Sequence, residues 1–169
     1  ADGNGVGDEF QVNTYTTGAQ YESTTTTLSD GGFVITWQSY KNQDGSNAGI
    51  FAQRYNADGS ANGDEFQVNT YTENGQWRPS TTALSDGGFV ITWDSIEQDG
   101  SYNGVYAQRY NADGSANGDE FQVNTYTYKN QSNSDITALS DGGFVVTWSG
   151  SGNGDDWGIY AQRYDADGN

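Results

Sequence analysis

The sequence predicts an all-β fold built from three similar units, each with four short antiparallel strands. Thr, Val, Ile, Tyr, Phe and Trp dominate between clusters of Gly, Asp and Asn, which is typical of strands joined by tight turns. Leu occurs only three times and Met is absent, so strong apolar helix formers are almost missing. A unit of 55–56 residues recurs three times, which makes the chain a repeat protein.

Three segments mark the repeat. GDEFQVNTYT begins at residues 7, 63 and 118, LSDGGFV at residues 28, 84 and 139, and AQRY at residues 52, 107 and 161. The spacing between these segments varies only between the tryptophan of GFVITW and the arginine of AQRY, so length differences are confined to one loop. We therefore expect a single repeat domain over 1–169, with units of approximately 7–62, 63–117 and 118–169.

Each unit reads as four strands, named D, A, B and C in chain order. Strand D (EFQVNTYT) alternates, so that Phe10 and Val12 share one face. Strands A (TTTTLS in the first unit) and B (GFVITW) are joined by Ser-Asp-Gly-Gly, which predicts a tight hairpin. Strand C (GIFAQRY) leads to the next D through Asn-Ala-Asp-Gly-Ser-Ala-Asn-Gly, whose residues tolerate positive φ. Trp37, Trp93 and Trp148 recur in strand B and are predicted to be core.

Four strands in a unit of this length resemble a blade of a β-propeller, in which four-stranded sheets repeat around an axis. This resemblance implies that the first copy of strand D, over 9–16, completes the last unit. Three blades are fewer than the usual four to eight. We therefore expect a homo-oligomer, such as a dimer giving six blades, or part of a longer repeat array. A threefold β-prism or β-trefoil is the alternative, because both use three four-stranded units.

The amino-acid sequence of the repeat unit carries a second resemblance. DGGFVVTW, GIYAQRYDADGN and EFQVNT resemble tandem repeats of very large secreted bacterial surface and adhesin-like proteins, across all three units. This resemblance implies an extracellular, non-catalytic module on the cell surface or in secretions.

Composition excludes several kinds of chemistry. The formal net charge is −17, which argues against nucleic acid and anionic membranes as partners. Cysteine and histidine are both absent, so thiolate catalysis, zinc–thiolate sites and histidine general bases are excluded. No stretch is long and apolar enough for membrane insertion. Carboxylates that differ between the units fall in predicted surface loops, and no enzyme activity is expected from them: Glu22, Glu73, Glu97, Asp155 and Asp156.

The acidic turns between strands C and D raise the question of calcium. Residues 56–64 and 111–119 alternate side chains with oxygen donors, which is the ligand type that calcium prefers. The EF-hand pattern is not matched, and Asp-Gly turns form without metal. We expect no required cofactor, with calcium at these turns as an open alternative.

Candidate binding residues lie in the D–A and B–C loops, where the units diverge. An aromatic ring beside an amide suits sugar recognition, because the ring face packs on C–H groups while the amide bonds hydroxyls. The predicted D–A residues are Gln20, Tyr21, Gln76 and Trp77, and the predicted B–C residues are Tyr40, Tyr102 and Trp157. A recurring arginine (Arg54, Arg109 and Arg163) is expected to be structural, paired with a repeated glutamate such as Glu65.

Two functions follow from these observations. The first is an extracellular, non-catalytic carbohydrate-binding module with repeated weak sites on the variable loops, which gain strength by multivalency. The second is a structural or spacer repeat, or a self-assembling scaffold, with no small ligand. The unmatched Trp77 and Trp157 favour the first, and the near-identity of the units favours the second.

Overall fold

The computed structural model describes residues 3, 5–152 and 154–169, and these residues form eleven strands and no helix. No helix that could cross a membrane therefore occurs in this part of the chain. The strands are β1 (Gln20–Thr27), β2 (Phe33–Tyr40), β3 (Ala48–Tyr55), β4 (Phe66–Gln67), β5 (Gln76–Ala83), β6 (Phe89–Ile96), β7 (Asn103–Tyr110), β8 (Phe121–Gln122), β9 (Gln131–Ala138), β10 (Phe144–Gly152) and β11 (Asp155–Tyr164).

The strands form three antiparallel sheets, which confirms the all-β prediction of blade-like units. The first sheet has the order β1-β2-β3-β4, the second β5-β6-β7-β8, and the third β9-β10-β11. Within each sheet, neighbours along the chain pair in space, as in a meander. The inner strands β1, β5 and β9 follow one another from sheet to sheet, with β1 against β5 and β5 against β9.

The Ser-Asp-Gly-Gly segments form the predicted hairpins between strands A and B. In the first unit, Leu28 N donates to Gly32 O at 2.8 Å and the Asp30 carboxylate accepts from Gly32 N at 2.8 Å. Gly31 has φ of 86°, a conformation that favours glycine. A Cβ on Gly32 would collide with the carbonyl oxygen of Tyr55. Both glycines are therefore needed, for different reasons.

Strand D is shorter than predicted, with two residues in a ladder rather than eight. Val68 N still donates to Ile50 O at 2.8 Å. Ile50 N, in contrast, donates to the side-chain Oδ1 of Asn69 at 2.7 Å and not to a backbone carbonyl. Because this side chain replaces a backbone carbonyl, the regular ladder ends here. Asn124 does the same for Val105 in the second unit.

The core lies between sheets rather than within one. Val34, Ile50 and Ala52 of the first sheet are fully buried in one apolar cluster with Phe89, Ile91 and Trp93 of the second. The second and third sheets repeat the arrangement with Val90, Val105 and Ala107 facing Phe144, Val146 and Trp148. The predicted core positions Trp37, Trp93 and Trp148 are all buried. Both faces of strand B are buried in the second sheet, whereas one face stays partly exposed in the first and third sheets.

The segment 9–16 does not complete the last unit within this chain. The third sheet has three strands, and residues 9–16 form no strand. The segment lies on the first sheet, where the rings of Phe10 and Tyr55 are 5.4 Å apart and Thr14 N donates to Glu65 Oε2 at 2.7 Å. Three blades turn through too little of a circle for the two ends to meet, since known propeller rings need at least four.

The recurring arginines join neighbouring units, although not through the glutamates that the sequence suggested. Arg54 is buried and donates to the carbonyls of Ala112 and Asp113 in the next unit, both at 2.6 Å. Arg109 donates to Ala166 O at 2.8 Å in the same way. The nearest carboxylate to Arg54 is Asp30, at 4.0 Å. Glu65 instead accepts hydrogen bonds from Thr14, so the structural role was predicted but its partner was wrong.

The acidic C–D turns are held by their own side chains. Asp58 Oδ1 accepts from Ser60 Oγ at 2.6 Å and from Ser60 N at 2.9 Å, and these bonds lower the pKa of Asp58. Asp113 and Ser115 repeat this geometry. Among the described residues, no group of three or more carboxylates converges as a metal site would require. Calcium at these turns stays a prediction.

Candidate functional site

Three of the predicted aromatic residues meet at the junction of the first and second sheets. Tyr40 lies between the other two rings: its centroid is 5.5 Å from that of Tyr21, edge to face, and 5.0 Å from that of Trp77, tilted. Tyr40 and Trp77 are half-buried and Tyr21 is exposed. We call Tyr21, Tyr40 and Trp77 the aromatic row.

The row is carried by strands, whereas the sequence placed Tyr21 and Trp77 in D–A loops. Both are the second residue of an inner strand, β1 or β5, and Tyr40 is the last residue of β2. The inner strands begin earlier than predicted because pairing continues past a bulge after Tyr21 and after Trp77. The bulged residues Glu22 and Arg78 have φ of 51° and 53°. The residues predicted for strand A, TTTTLS in the first unit, gave no sign that the strand begins before them.

The glutamines that precede the aromatic positions are bracing residues. Gln76 is fully buried, where its Oε1 accepts from Asn69 Nδ2 at 3.2 Å and its Nε2 donates to Glu73 O at 3.0 Å. Gln131 is buried in the same place in the third unit. Gln20 is half-buried and its Oε1 accepts from Asn13 Nδ2 at 3.2 Å. Gln76 therefore has no face open to a ligand from solvent.

A groove of roughly 290 Å³ lies beside two residues of the row, Tyr40 and Trp77, whereas Tyr21 lines a different groove on the first sheet. Tyr40 and Trp77 form the aromatic wall of the 290 Å³ groove, and Glu22, Arg78 and Asn103 place a carboxylate, a guanidinium and an amide around it. These three side chains offer both acceptors and donors. Their place beside the rings depends on the bulges and on how the sheets pack, so no local sequence signal could have grouped them.

The backbone beneath the groove is fixed by hydrogen bonds between sheets. Gln38, buried at the end of β2, accepts from Arg78 N through its Oε1 at 2.9 Å. Asp94 occupies the same position in the second sheet and accepts from Asn133 N at 2.9 Å. The bulges of β5 and β9 thus point their N–H groups at the preceding sheet, which holds neighbouring sheets in register.

Asp94 is a fully buried carboxylate under the guanidinium of Arg78, with 3.3 Å between Nη1 and Oδ2. Burial raises the pKa of Asp94 to about 6, while the bonds from Asn133 N and Arg78 oppose that rise. Its other oxygen, Oδ1, has no hydrogen-bond partner among the described residues. At neutral pH this carboxylate is therefore a buried charge with only partial compensation.

We expect Asp94 to make folding stability fall as the pH rises. The folded-state pKa lies above the ordinary value of 3.8, so the folded protein binds this proton more tightly. The contribution is complete below about pH 4 and is lost as the pH rises through about 6. Urea unfolding of the wild type and Asp94→Asn across this window is the measurement. The wild-type stability minus that of the variant should fall with rising pH, and a flat difference would contradict the buried-charge account.

Because Gly75 has no side chain, the indole ring of Trp77 can pack directly against its backbone. A Cβ at Gly75 would collide with the six-membered ring of Trp77, and the neighbouring sheet is close, since Ala48 bridges to Gly75. We therefore expect Gly75→Ala to displace the indole while the sheets stay folded. Near-ultraviolet circular dichroism should change, with unaltered far-ultraviolet signal. The control is Gly5→Ala, because Gly5 has no positive φ and the nearest atom to a Cβ built there, Gly7 O, lies at an ordinary contact distance of 3.8 Å. An unchanged near-ultraviolet spectrum for Gly75→Ala would contradict the placement of Trp77.

Two predicted site residues lie away from the row. Tyr102 is 64% exposed and lines a separate shallow depression with Glu97 and Ser101. Trp157 is 54% exposed and stands near the start of β11, not in a loop, because β10 and β11 continue almost to their turn. The structure thus brings together Tyr21, Tyr40 and Trp77, and leaves Tyr102 and Trp157 apart.

Comparisons with known proteins give likeness of fold alone. No family model and no curated protein matches the chain. Among solved structures, a protein of unknown function from Dyadobacter fermentans matches with a TM-score of 0.61 at 13% identity, over 88% of this chain and 52% of that one. An endo-arabinase from Bacteroides thetaiotaomicron matches with a TM-score of 0.55 at 14% identity, over 88% and 57%. The chain therefore spans just over half the length of each, and the likeness supports propeller-like blades.

Proposed function

We propose that this chain is a non-catalytic carbohydrate-binding module whose site is the groove beside Tyr40 and Trp77 of the aromatic row. The observation that carries the proposal is the meeting of Tyr21, Tyr40 and Trp77 beside polar side chains of both kinds. A sugar ring presents C–H groups on one face and hydroxyls at its edge. The aromatic faces suit the former, and Glu22 and Arg78 suit the latter.

Within the described residues the proposed site occurs once, whereas the sequence suggested related sites in two or three units. At the junction of the second and third sheets, Ile96 and Ser132 stand at the positions of Tyr40 and Trp77. These side chains give no aromatic wall. One shallow groove of this size supports weak binding, so strength has to come from several copies acting together.

The module is proposed to bind without hydrolysing. Hydrolysis of a glycosidic bond uses a pair of carboxyl groups on either side of the bond. Among the described residues that line the groove, Glu22 is the one carboxylate. The resemblance of the repeat sequence to secreted bacterial surface proteins supports an extracellular or cell-surface location. The proposed binding needs no metal.

A glycan array, run with calcium and again with chelator, tests the proposal. Arabino-oligosaccharides belong in the panel because one solved structure of similar fold is an endo-arabinase. We expect binding in both conditions. Trp77→Ala should weaken it about tenfold or more, since roughly 1.4 kcal/mol of lost ring contact has that effect. Trp77→Phe should retain part of it, and Tyr102→Ala should bind as the wild type does.

Other outcomes would contradict the proposal in distinct ways. Binding lost only with chelator would move the site to the acidic C–D turns. Binding that Trp77→Ala leaves intact would remove the aromatic row from consideration. No binding to any glycan of a broad array would favour the second function, a structural or self-assembling repeat without a small ligand. The near-identity of the three units supports that function.

A further inference from the structure

The outer face and edge of the third sheet repeat surfaces that are buried elsewhere in the molecule. Ile50 and Val105 are 0% exposed because the next sheet covers them, whereas Ile159, at the same position in β11, is 77% exposed. Ala161 is exposed where Ala52 and Ala107 are buried. Within the described residues, β11 also lacks the outer neighbour that β4 supplies to β3 and β8 supplies to β7.

The first sheet shows the complementary gap. Phe10 is 52% exposed, and Ile35 is partly exposed where its counterparts Ile91 and Val146 are fully buried. A groove of roughly 460 Å³ lies here, with Phe10, Val12 and Trp37 among its lining residues. In the second and third sheets, the preceding sheet fills this space. None of the described residues fills it in the first sheet.

We propose that a second copy of this chain joins the two ends, so that two copies close a ring of six blades. In the two complete sheets, strand D pairs with strand C through Ala52↔Phe66 and Ala107↔Phe121. The same register sets Ala161 of one copy opposite Phe10 of the other, and Tyr160 opposite Gln11. Ile159 then enters the groove of the first sheet.

The polar groups at the two ends match in the same register. Ile50 N and Val105 N donate to the side chains of Asn69 and Asn124, and the third repeat of that bond joins Ile159 N to Asn13. Arg54 and Arg109 reach carbonyls of the next unit. Arg163 is exposed and pairs instead with Asp141 of its own hairpin. Across the new junction it faces the turn at Ala57, the counterpart of Ala112.

The second copy also contributes a residue to the proposed binding surface. Trp157 stands at the position of Ala48, which bridges to Gly75 beside Trp77. The equivalent bridge places Trp157 beside Ala19 of the other copy, two residues from Tyr21. Trp157 would therefore extend the aromatic row across the junction. Its ring, exposed in the single chain, would then pack near Tyr21 of the other copy.

Two copies are the number that the blade count favours. Propellers close with about four to eight blades, and three blades in each chain give six with two copies but nine with three. The contact is head to tail, so repeating it twice closes the ring and leaves no free end. Each copy has a formal charge of −17, so repulsion opposes association and salt should favour it.

Sedimentation equilibrium of the full chain tests this proposal directly. We expect a two-copy particle whose dissociation constant falls with added sodium chloride. Ile159→Asp should give a folded monomer, because it places a charge in an apolar groove. Tyr102→Asp adds the same charge at an exposed position outside the junction and should remain a two-copy particle. A wild-type monomer, or an open polymer that grows with concentration, would overturn the proposal.

Cross-linking tests the register independently of affinity. The chain has no cysteine of its own. Paired residues of adjacent strands have the Cα separation that a disulfide needs. Phe10→Cys combined with Ala161→Cys should oxidise to a covalent two-copy product. Phe10→Cys combined with Gln162→Cys, one residue out of register and on the opposite face, should not. A disulfide within one chain, seen by mass, would show three-blade closure and would overturn the proposal, as would equal yields from both pairs.

Discussion

Replacement of Trp93 by alanine is expected to lower the free energy of unfolding by about 3–5 kcal/mol, the range for deleting a large buried aromatic side chain. Trp93 is fully buried in the cluster that joins the first sheet to the second, among Ile50, Ala52 and Val68. Its loss leaves a cavity between two sheets that touch chiefly through such contacts. Urea unfolding followed by circular dichroism measures the effect.

Trp93→Phe is the matched control. The indole Nε1 of Trp93 is buried without a hydrogen-bond partner among the described residues, so phenylalanine removes an unsatisfied donor while keeping most of the apolar volume. We expect a loss of less than about half that of the alanine variant. Equal losses for the two variants would show that packing at Trp93 is not what joins the sheets.

The second large effect is expected at Arg54. Arg54→Ala removes two hydrogen bonds from a buried guanidinium to Ala112 O and Asp113 O of the next unit. Bonds from charged groups contribute about 1.5–3 kcal/mol each, so we expect the loss of two to cost about 3–6 kcal/mol. Gly114 gives the guanidinium its room, because a Cβ there would lie 2.9 Å from Arg54 Cδ. Chemical denaturation of the single variant measures this loss.

Two further variants provide the comparison, Arg163→Ala and Arg54→Lys. Arg163 holds the same place in the repeat but is exposed, so Arg163→Ala should cost under about 0.5 kcal/mol in the dissociated chain. Arg54→Lys should recover only part of the loss, since an ammonium does not reproduce the planar fork of donors. A neutral Arg54→Ala variant would refute the structural role and reopen anion binding at the recurring arginines.

The repeat made much of the fold predictable. Strands A, B and C, the Ser-Asp-Gly-Gly hairpins and the buried tryptophans of strand B follow from alternation, turn chemistry and recurrence. The end of strand D does not, because its ladder stops where the Asn69 side chain takes over a backbone role. The early start of β1 and β5 escaped prediction for a related reason, since each contains a bulge that breaks the alternating pattern.

The candidate site was predictable in its residues but not in its arrangement. Variable aromatic positions pointed to Tyr21, Tyr40 and Trp77, yet these residues lie on three strands in two sheets. Only pairing register and sheet packing show that they meet and that Tyr102 does not join them. Gln76 resembled a ligand-binding amide in the sequence, and its burial against Asn69 became evident only in three dimensions.

The five tryptophans offer a direct measurement of the proposed site, because each gives one indole N–H resonance. Proton–nitrogen correlation spectra recorded during titration with a glycan found on the array would report every indole at once. We expect the Trp77 resonance to move saturably, while those of the buried Trp93 and Trp148 stay in place. Assignment by Trp77→Phe fixes the identity of the moving peak. A titration in which the glycan binds and the Trp77 resonance does not move would rule out the groove beside Trp77 as the binding site.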